Sequence, residues 1–177
     1  MDESKKNNNN FVGFEYTELT VRRSIESIFV DSYPSFGWEL EGTASPPAGM
    51  LYVNLKFKRN RKLRNKAEIT RLQRQFEAGV NEIQTLERSK TVGASAAAYI
   101  IGVVGTAFIA GSVFAYMAGM LSLMVVLAIP GFVGWISPYW CFRGISEKKA
   151  AKVNPFIDKK YDEIYEVCEK ANSLLDQ

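Results

Sequence analysis

The chain has 177 residues, a formal net charge of +3 and a hydrophobic content of 47%, figures that by themselves suit one or two small water-soluble units. Two cysteines are too few for a disulfide framework or a thiolate metal cluster, and they read as free thiols. No histidine occurs, which removes the commonest general base and the commonest metal ligand together. The averages hide a tripartite chain: between Thr91 and Phe142 there is no Asp, Glu, Lys or Arg, a run of about 52 residues where ~20 cross a bilayer once.

Residues 1–10 read MDESKKNNNN, with no apolar core of the kind a secretion signal needs, and are expected to be a disordered lead-in. Residues 11–60 carry the pattern of a small α+β domain in the order strand, helix, strand, strand. Phe14-Glu15-Tyr16 opens a strand, and Val21, Ile25, Ile28 and Phe29 fall on one helix face. The run from Tyr33 to Gly37 ends that helix. Trp38 and Leu40 point inward from a second strand, and residues 45–49 form a loop. Leu51, Val53, Leu55 and Phe57 then alternate with polar residues along a third strand, so a sheet with one helix across a face buries the inward set. Glu39 and Glu41 share a strand face and read as solvated residues. No phosphate-cradling loop or nucleophile motif accompanies them, so neither catalysis nor a cofactor or metal is expected.

Gly37-Trp38-Glu39-Leu40 and the closing Phe57-Lys58-Arg59 carry a resemblance. Over residues 14–59, roughly a quarter of the chain, the sequence resembles a family of small uncharacterised bacterial domains marked by Gly-Trp-Glu-Leu. The resemblance brings no chemistry with it. The chain as a whole resembles bacterial two-span membrane proteins.

Residues 61–92 predict a stalk helix. Ile69, Leu72, Phe76, Ile83 and Leu86 recur at alternating three and four spacing, with Gly79 completing the rhythm. The tail, 144–177, repeats the stripe at Ile157, Tyr161, Ile164, Cys168, Ala171 and Leu175, with an interruption expected near Asn154-Pro155. A membrane hairpin would deliver both arms side by side, so they predict an antiparallel cytoplasmic coiled coil. Charge agrees: Arg61, Lys62, Arg64, Lys66, Arg71 and Arg74 lie on the outer first arm, and Asp162, Glu163, Glu166, Glu169 and Asp176 on the outer tail. The basic cluster has no nucleic-acid motif beside it, so nucleic acid is not an expected partner.

Gly119 is the best place to turn the uncharged run, giving spans at 93–118 and 121–142. Tyr99, Trp135, Tyr139 and Trp140 suit the headgroup layer, and Pro130-Gly131 is a kink site in the second span. Arg88, Lys90, Arg143, Lys148 and Lys149 flank the spans while the turn has no charge, which places both termini in the cytoplasm. Small residues form two rows on the first span: Ala98, Gly102, Thr106 and Ala110, and Ala107, Gly111, Ala115 and Gly119. One row can receive the second span and the other a second copy. The fold class is thus a two-helix membrane hairpin continued as an antiparallel coiled coil, with a small N-terminal α+β domain. Two functions fit it. One is a membrane-anchored scaffold that presents its front domain to a cytoplasmic protein partner. The other is a small oligomeric channel built from the glycine-rich spans, against which stands the lack of any ionisable residue within them.

Overall fold

In the computed structural model residues 12–44 and 51–175 are described. The lead-in expected at 1–10 and the loop expected at 45–49 lie outside them, as do Asp176 and Gln177. Three strands, β1 (Phe14–Arg22), β2 (Trp38–Ala44) and β3 (Tyr52–Asn60), form one antiparallel sheet in the order β1-β3-β2. Between β1 and β2 lie a 3-10 turn at Arg23–Ile25, the helix α1 (Glu26–Ser32) and a second 3-10 turn at Tyr33–Phe36. Two long helices follow and pack together: α2 (Lys66–Met117) and α3 (Leu121–Leu175). The order strand, helix, strand, strand is therefore as the alternation predicts.

The boundaries differ at three places. Val21 belongs to β1 and Ile25 to the 3-10 turn, so the expected helical face starts only at α1. β-branched Val21 closes a regular nine-residue strand, paired throughout with β3 from Phe14 opposite Asn60 to Arg22 opposite Tyr52. Leu40 is 40% exposed while Trp38 is 6% exposed, so only one of the two expected inward residues of β2 is buried. β2 is an edge strand and its register slips between Leu40 and Gly42, which interrupts the inward alternation there. The third difference is at Asn154-Pro155, where α3 continues without interruption. Proline there removes one i→i−4 bond, and residues 154–156 are exposed, so water can reach the carbonyl left over. Pro130 and Pro138 also lie within α3.

The chain divides into two compact units, one of Met1–Ala78 with Glu163–Gln177, the other Gly79–Asp162. The front domain expected at 11–60 is therefore a larger body than that range. Its core takes in the first turns of α2 and the last turns of α3. Tyr33 stands at the centre, with ring centroids 4.6 Å from Phe57, 5.5 Å from Phe29 and 6.2 Å from Phe76. Phe76 also meets Phe29 edge to face at 5.6 Å and Phe36 at 5.4 Å. Gly37 caps the second 3-10 turn at φ +78, and its N–H donates to the Pro34 carbonyl. A Cβ there would stand 3.3 Å from Leu63 Cδ1 and 3.4 Å from Leu175 Cδ2. Residues expected to zip two arms thus serve as the floor of the sheet domain.

Phe76→Ala removes a fully buried ring that three other aromatics contact. It is expected to lower stability by about 3–5 kcal/mol, read as the fall in unfolding midpoint of detergent-solubilised protein followed by tryptophan fluorescence.

Candidate functional site

Two constellations carry the polar and the apolar chemistry of this chain, one in each unit. In the first unit a chain of polar side chains ties the sheet to α2. Tyr33 Oη donates to Glu77 Oε1 at 2.8 Å, and Gln73 Nε2 donates to the same oxygen at 2.9 Å. Trp38 Nε1 donates to Gln73 Oε1 at 2.9 Å. The Arg59 guanidinium lies over the Trp38 ring, 4.2 Å from its centroid. Arg59 then donates through Nε to Glu15 Oε1 at 2.6 Å, and Lys66 Nζ donates to Glu15 Oε2 at 2.5 Å. Among the described residues no buried side-chain nitrogen or oxygen lacks a partner.

The two short motifs, Gly37-Trp38-Glu39-Leu40 and Phe57-Lys58-Arg59, belong to this clasp. Trp38 is opposite Arg59, Glu39 opposite Lys58 and Leu40 opposite Phe57, so Gly37-Trp38-Glu39-Leu40 and Phe57-Lys58-Arg59 are cross-strand neighbours. Glycine gives the left-handed cap that starts β2, tryptophan bridges to α2, and arginine covers the indole and reaches Glu15. Glu39 pairs with Lys58 at 3.9 Å, and Glu41 falls in the register slip.

Environment sets the titration of three groups. Burial alone would raise the Glu15 carboxyl, but hydrogen bonds from Lys66 and Arg59, with their charges, outweigh it and hold the pKa below the ordinary 4.5. Burial first, and then the Glu77 carboxylate, push the Tyr33 phenol well above its ordinary value. Burial raises the Cys168 thiol against an opposing hydrogen bond from the Ser32 hydroxyl.

The stripe residues separate into two sets. Ile69, Leu72, Phe76, Ile83, Ile157, Ile164, Cys168 and Ala171 are buried. Leu86, Tyr161 and Leu175 are half-buried. Val80, not Gly79, fills the position between Phe76 and Ile83, and Val167 joins Cys168 on the tail. Both were legible as apolar residues, but each sits one step off a strict three-four alternation. Lys160 reaches Glu82 across the helices at 2.9 Å, with the charges in the opposite sense to the expected one, basic on the tail and acidic on the first arm, while Lys66 pairs with Glu15, Arg71 with Glu68 and Glu166 with Lys170. Near neighbours on the same helix or the adjoining strand take those partners at lower entropic cost.

In the second unit the uncharged stretch is an antiparallel hairpin. Met120 N–H donates to Ala115 O and Gly119 N–H to Tyr116 O, both at 3.0 Å, with Gly119 at φ +75. These two bonds form a Schellman cap, so the turn falls where the sequence placed it. Moving away from the turn, Ser112 Oγ donates to the Met124 carbonyl at 2.9 Å, and Gly111 lies beside Leu127. Further along, Lys149 Nζ donates to the Ser89 carbonyl at 3.4 Å.

The closest approach is at glycines outside both expected rows. A Cβ on Gly105 would stand 2.9 Å from the Gly134 carbonyl carbon, and one on Gly134 would stand 2.7 Å from Gly105 Cα. A Cβ on Gly131 would meet Ile109 Cγ1 at 2.6 Å. Three glycines therefore let the two backbones touch. Ala94, Gly105, Ser112 and Ala115 form the buried line of α2 here. Of the expected rows, Ala115 is buried; Ala98, Gly102 and Gly111 are half-buried; Thr106, Ala107 and Gly119 are exposed. Thr106 takes a polar role instead: it accepts from Trp135 Nε1 at 3.3 Å and donates to the Gly102 carbonyl at 2.9 Å. The missed signal was Gly131-x-x-Gly134 on the second apolar segment, where a glycine pair three apart presents bare backbone on one face.

Outward from this crossing the surface is apolar. Both helices are long and apolar enough to cross a membrane, and their most hydropathic windows are only 17% and 6% buried. Phe114, Val126, Ile129, Phe132, Trp135 and Trp140 are all exposed.

No protein-family model, curated protein or solved structure matches this chain.

Two predictions follow from these geometries. Glu15 has a depressed pKa, so its stabilisation is full above the unfolded value near 4.5 and is lost as pH falls through the folded value. Glu15→Gln is expected to cost about 1.5–3 kcal/mol at pH 7 and to flatten the fall of the thermal midpoint below pH 4.5, measured by a pH series of melts. In the hairpin, a Cβ at Gly102 meets no heavy atom within 4 Å. Gly102→Leu is therefore expected to leave the hairpin intact, whereas Gly105→Leu separates its helices. Disulfide trapping between Ser112→Cys and Met124→Cys reads the difference.

Proposed function

We propose that this chain is a two-span membrane protein that anchors a small protein-interaction unit at the cytoplasmic face. One observation carries the proposal: two adjacent helical segments without charge present their apolar side chains outward. A core helix of a water-soluble protein is mostly covered, and soluble surfaces rarely keep contiguous apolar patches beyond a few hundred Å². Lipid is the solvent that removes the cost.

The flanks support the orientation. Arg88 and Lys90 precede the first uncharged segment, Arg143, Lys148 and Lys149 follow the second, and the turn between them carries no charge. Tyr99, Trp135, Tyr139 and Trp140 are exposed near the same ends, where amphipathic rings favour the headgroup layer. Both polar ends of the chain then share one side.

An interaction role is preferred to catalysis or conduction. The polar side chains that run from Tyr33 to Lys66 satisfy one another and hold α2 to the sheet, which is the work of a scaffold. Backbone contact at Gly105 and Gly134 fills the space between the two helices of a hairpin, and no Asp, Glu, Lys or Arg occurs from Thr91 to Phe142.

Alkaline carbonate extraction of cell membranes tests the anchor. The chain is expected to remain in the pellet, and a membrane-impermeant maleimide added to intact cells is expected to label Met120→Cys in a Cys141→Ala background. Recovery in the supernatant as a monodisperse species without detergent would rule the anchor out. Reconstituted protein is expected to give no ionic conductance in planar bilayers.

A further inference from the structure

The two edges of the sheet are unlike. β2 slips register between Leu40 and Gly42, a device that blunts an edge against further pairing. β1 runs nine residues with no slip and no proline. Which of its backbone groups face outward can be read from the bonds at its two ends. Arg61 N–H donates to the Gly13 carbonyl at 2.9 Å, and Arg23 N–H donates to the Leu51 carbonyl at 3.0 Å. Odd-numbered residues therefore bond towards β3. Tyr16, Glu18, Thr20 and Arg22 aim their N–H and C=O groups at the open edge. β1 is an edge strand paired only with β3, so among the described residues no other strand takes these groups, although Arg22 also caps the 3-10 turn at Arg23–Ile25.

We propose that a second copy of this chain adds its β1 antiparallel to β1, joining two three-stranded sheets into one of six strands. The register follows from which groups can bond and from charge. Even-numbered residues must face even-numbered residues, which leaves registers that differ in steps of two. Centring the pair on Glu18 sets two carboxylates directly opposite each other. Centring it on Leu19 moves the two carboxylates apart to diagonal positions. Tyr16 then lies opposite the partner's Arg22, a ring against a guanidinium, and Glu18 lies opposite the partner's Thr20, with the partner's Arg22 on one diagonal to offset the partner's Glu18 on the other. On the inward face Leu19 meets the partner's Leu19, and Thr17 meets the partner's Val21. This self-complementarity of opposite charges and matching apolar residues favours a second copy over an unrelated extended peptide.

The centre of this pairing is a non-hydrogen-bonded site, where Cα atoms stand about 4.5 Å apart and a disulfide can form. The test uses the full chain in detergent with Cys141→Ala. Leu19→Cys is expected to give a covalent dimer on mild oxidation, and Thr43→Cys on β2 is not. Thr20→Pro deletes an N–H at the open edge and spares every backbone bond to β3; the side-chain bond from Thr20 to Asn54 is lost in Thr20→Val as well, which serves as the control. By light scattering, the wild type and Thr20→Val are expected to be dimers, and Thr20→Pro a monomer with unchanged helicity. A monomeric wild type would overturn the proposal. So would a Thr20→Pro chain that stays dimeric, or crosslinking at Thr43→Cys in place of Leu19→Cys. If Thr20→Pro fails to fold, the crosslinking pair decides.

Discussion

Gly105 and Gly134 stand where two helix backbones meet with no side chain between them. In the lipid setting proposed above, apolar segments gain little from hiding apolar surface from an apolar solvent, so contact between the two helices would depend on close packing and on polar bonds between them. This hairpin has both: bare backbone at Gly105, Gly131 and Gly134, and the bond from Ser112 to the Met124 carbonyl. The Gly119 turn brings the segments into reach of each other, and the glycines decide how near they come.

In the other unit the dominant constraint is aromatic. Tyr33 is surrounded by rings from the sheet, from α1, from its own turn and from α2, and its hydroxyl reaches Glu77. A buried tyrosine needs a partner for that hydroxyl, and a glutamate on α2 is the partner. Trp38 repeats the arrangement with Gln73 one turn away on the same helix. Apolar packing and hydrogen bonding thus fasten the same helix to the same sheet. Cys168 and Ala171 of α3 are buried in the same unit, so both long helices are part of the front domain's core.

Much of this was legible in the sequence because it depends on periodicity. Alternation at Leu51, Val53, Leu55 and Phe57 marked β3; the last three are buried, while Leu51 lies just before the strand and is exposed, because its side chain falls beyond the sheet's core. The stripe from Ile69 to Ile83 marked the inner face of α2, with one substitution of Val80 for Gly79. What was misjudged depends on neighbours far away in the chain. Leu40 alternates correctly but lies at a slipped edge. Asn154-Pro155 is a helix breaker by local preference, yet α3 passes through it, as tertiary packing can hold a proline whose lost bond faces water. Small-residue rows on the first apolar segment were visible, but which of them meets the second segment depends on the rotation of each helix about its axis, and no local signal fixes that angle.

The sequence by itself determined the uncharged stretch, the turn at Gly119, the order of elements in the front domain and the face of each helix that is apolar. These are properties of residue type and spacing, and water or lipid acts on them one segment at a time. Only the tertiary structure decided that Gly105 meets Gly134, that Arg59 covers Trp38 and reaches Glu15, and that the ends of α2 and α3 complete the core of the sheet domain. Those pairings join residues tens of positions apart, and they are fixed by the fit of whole surfaces, which no stretch of chain specifies alone.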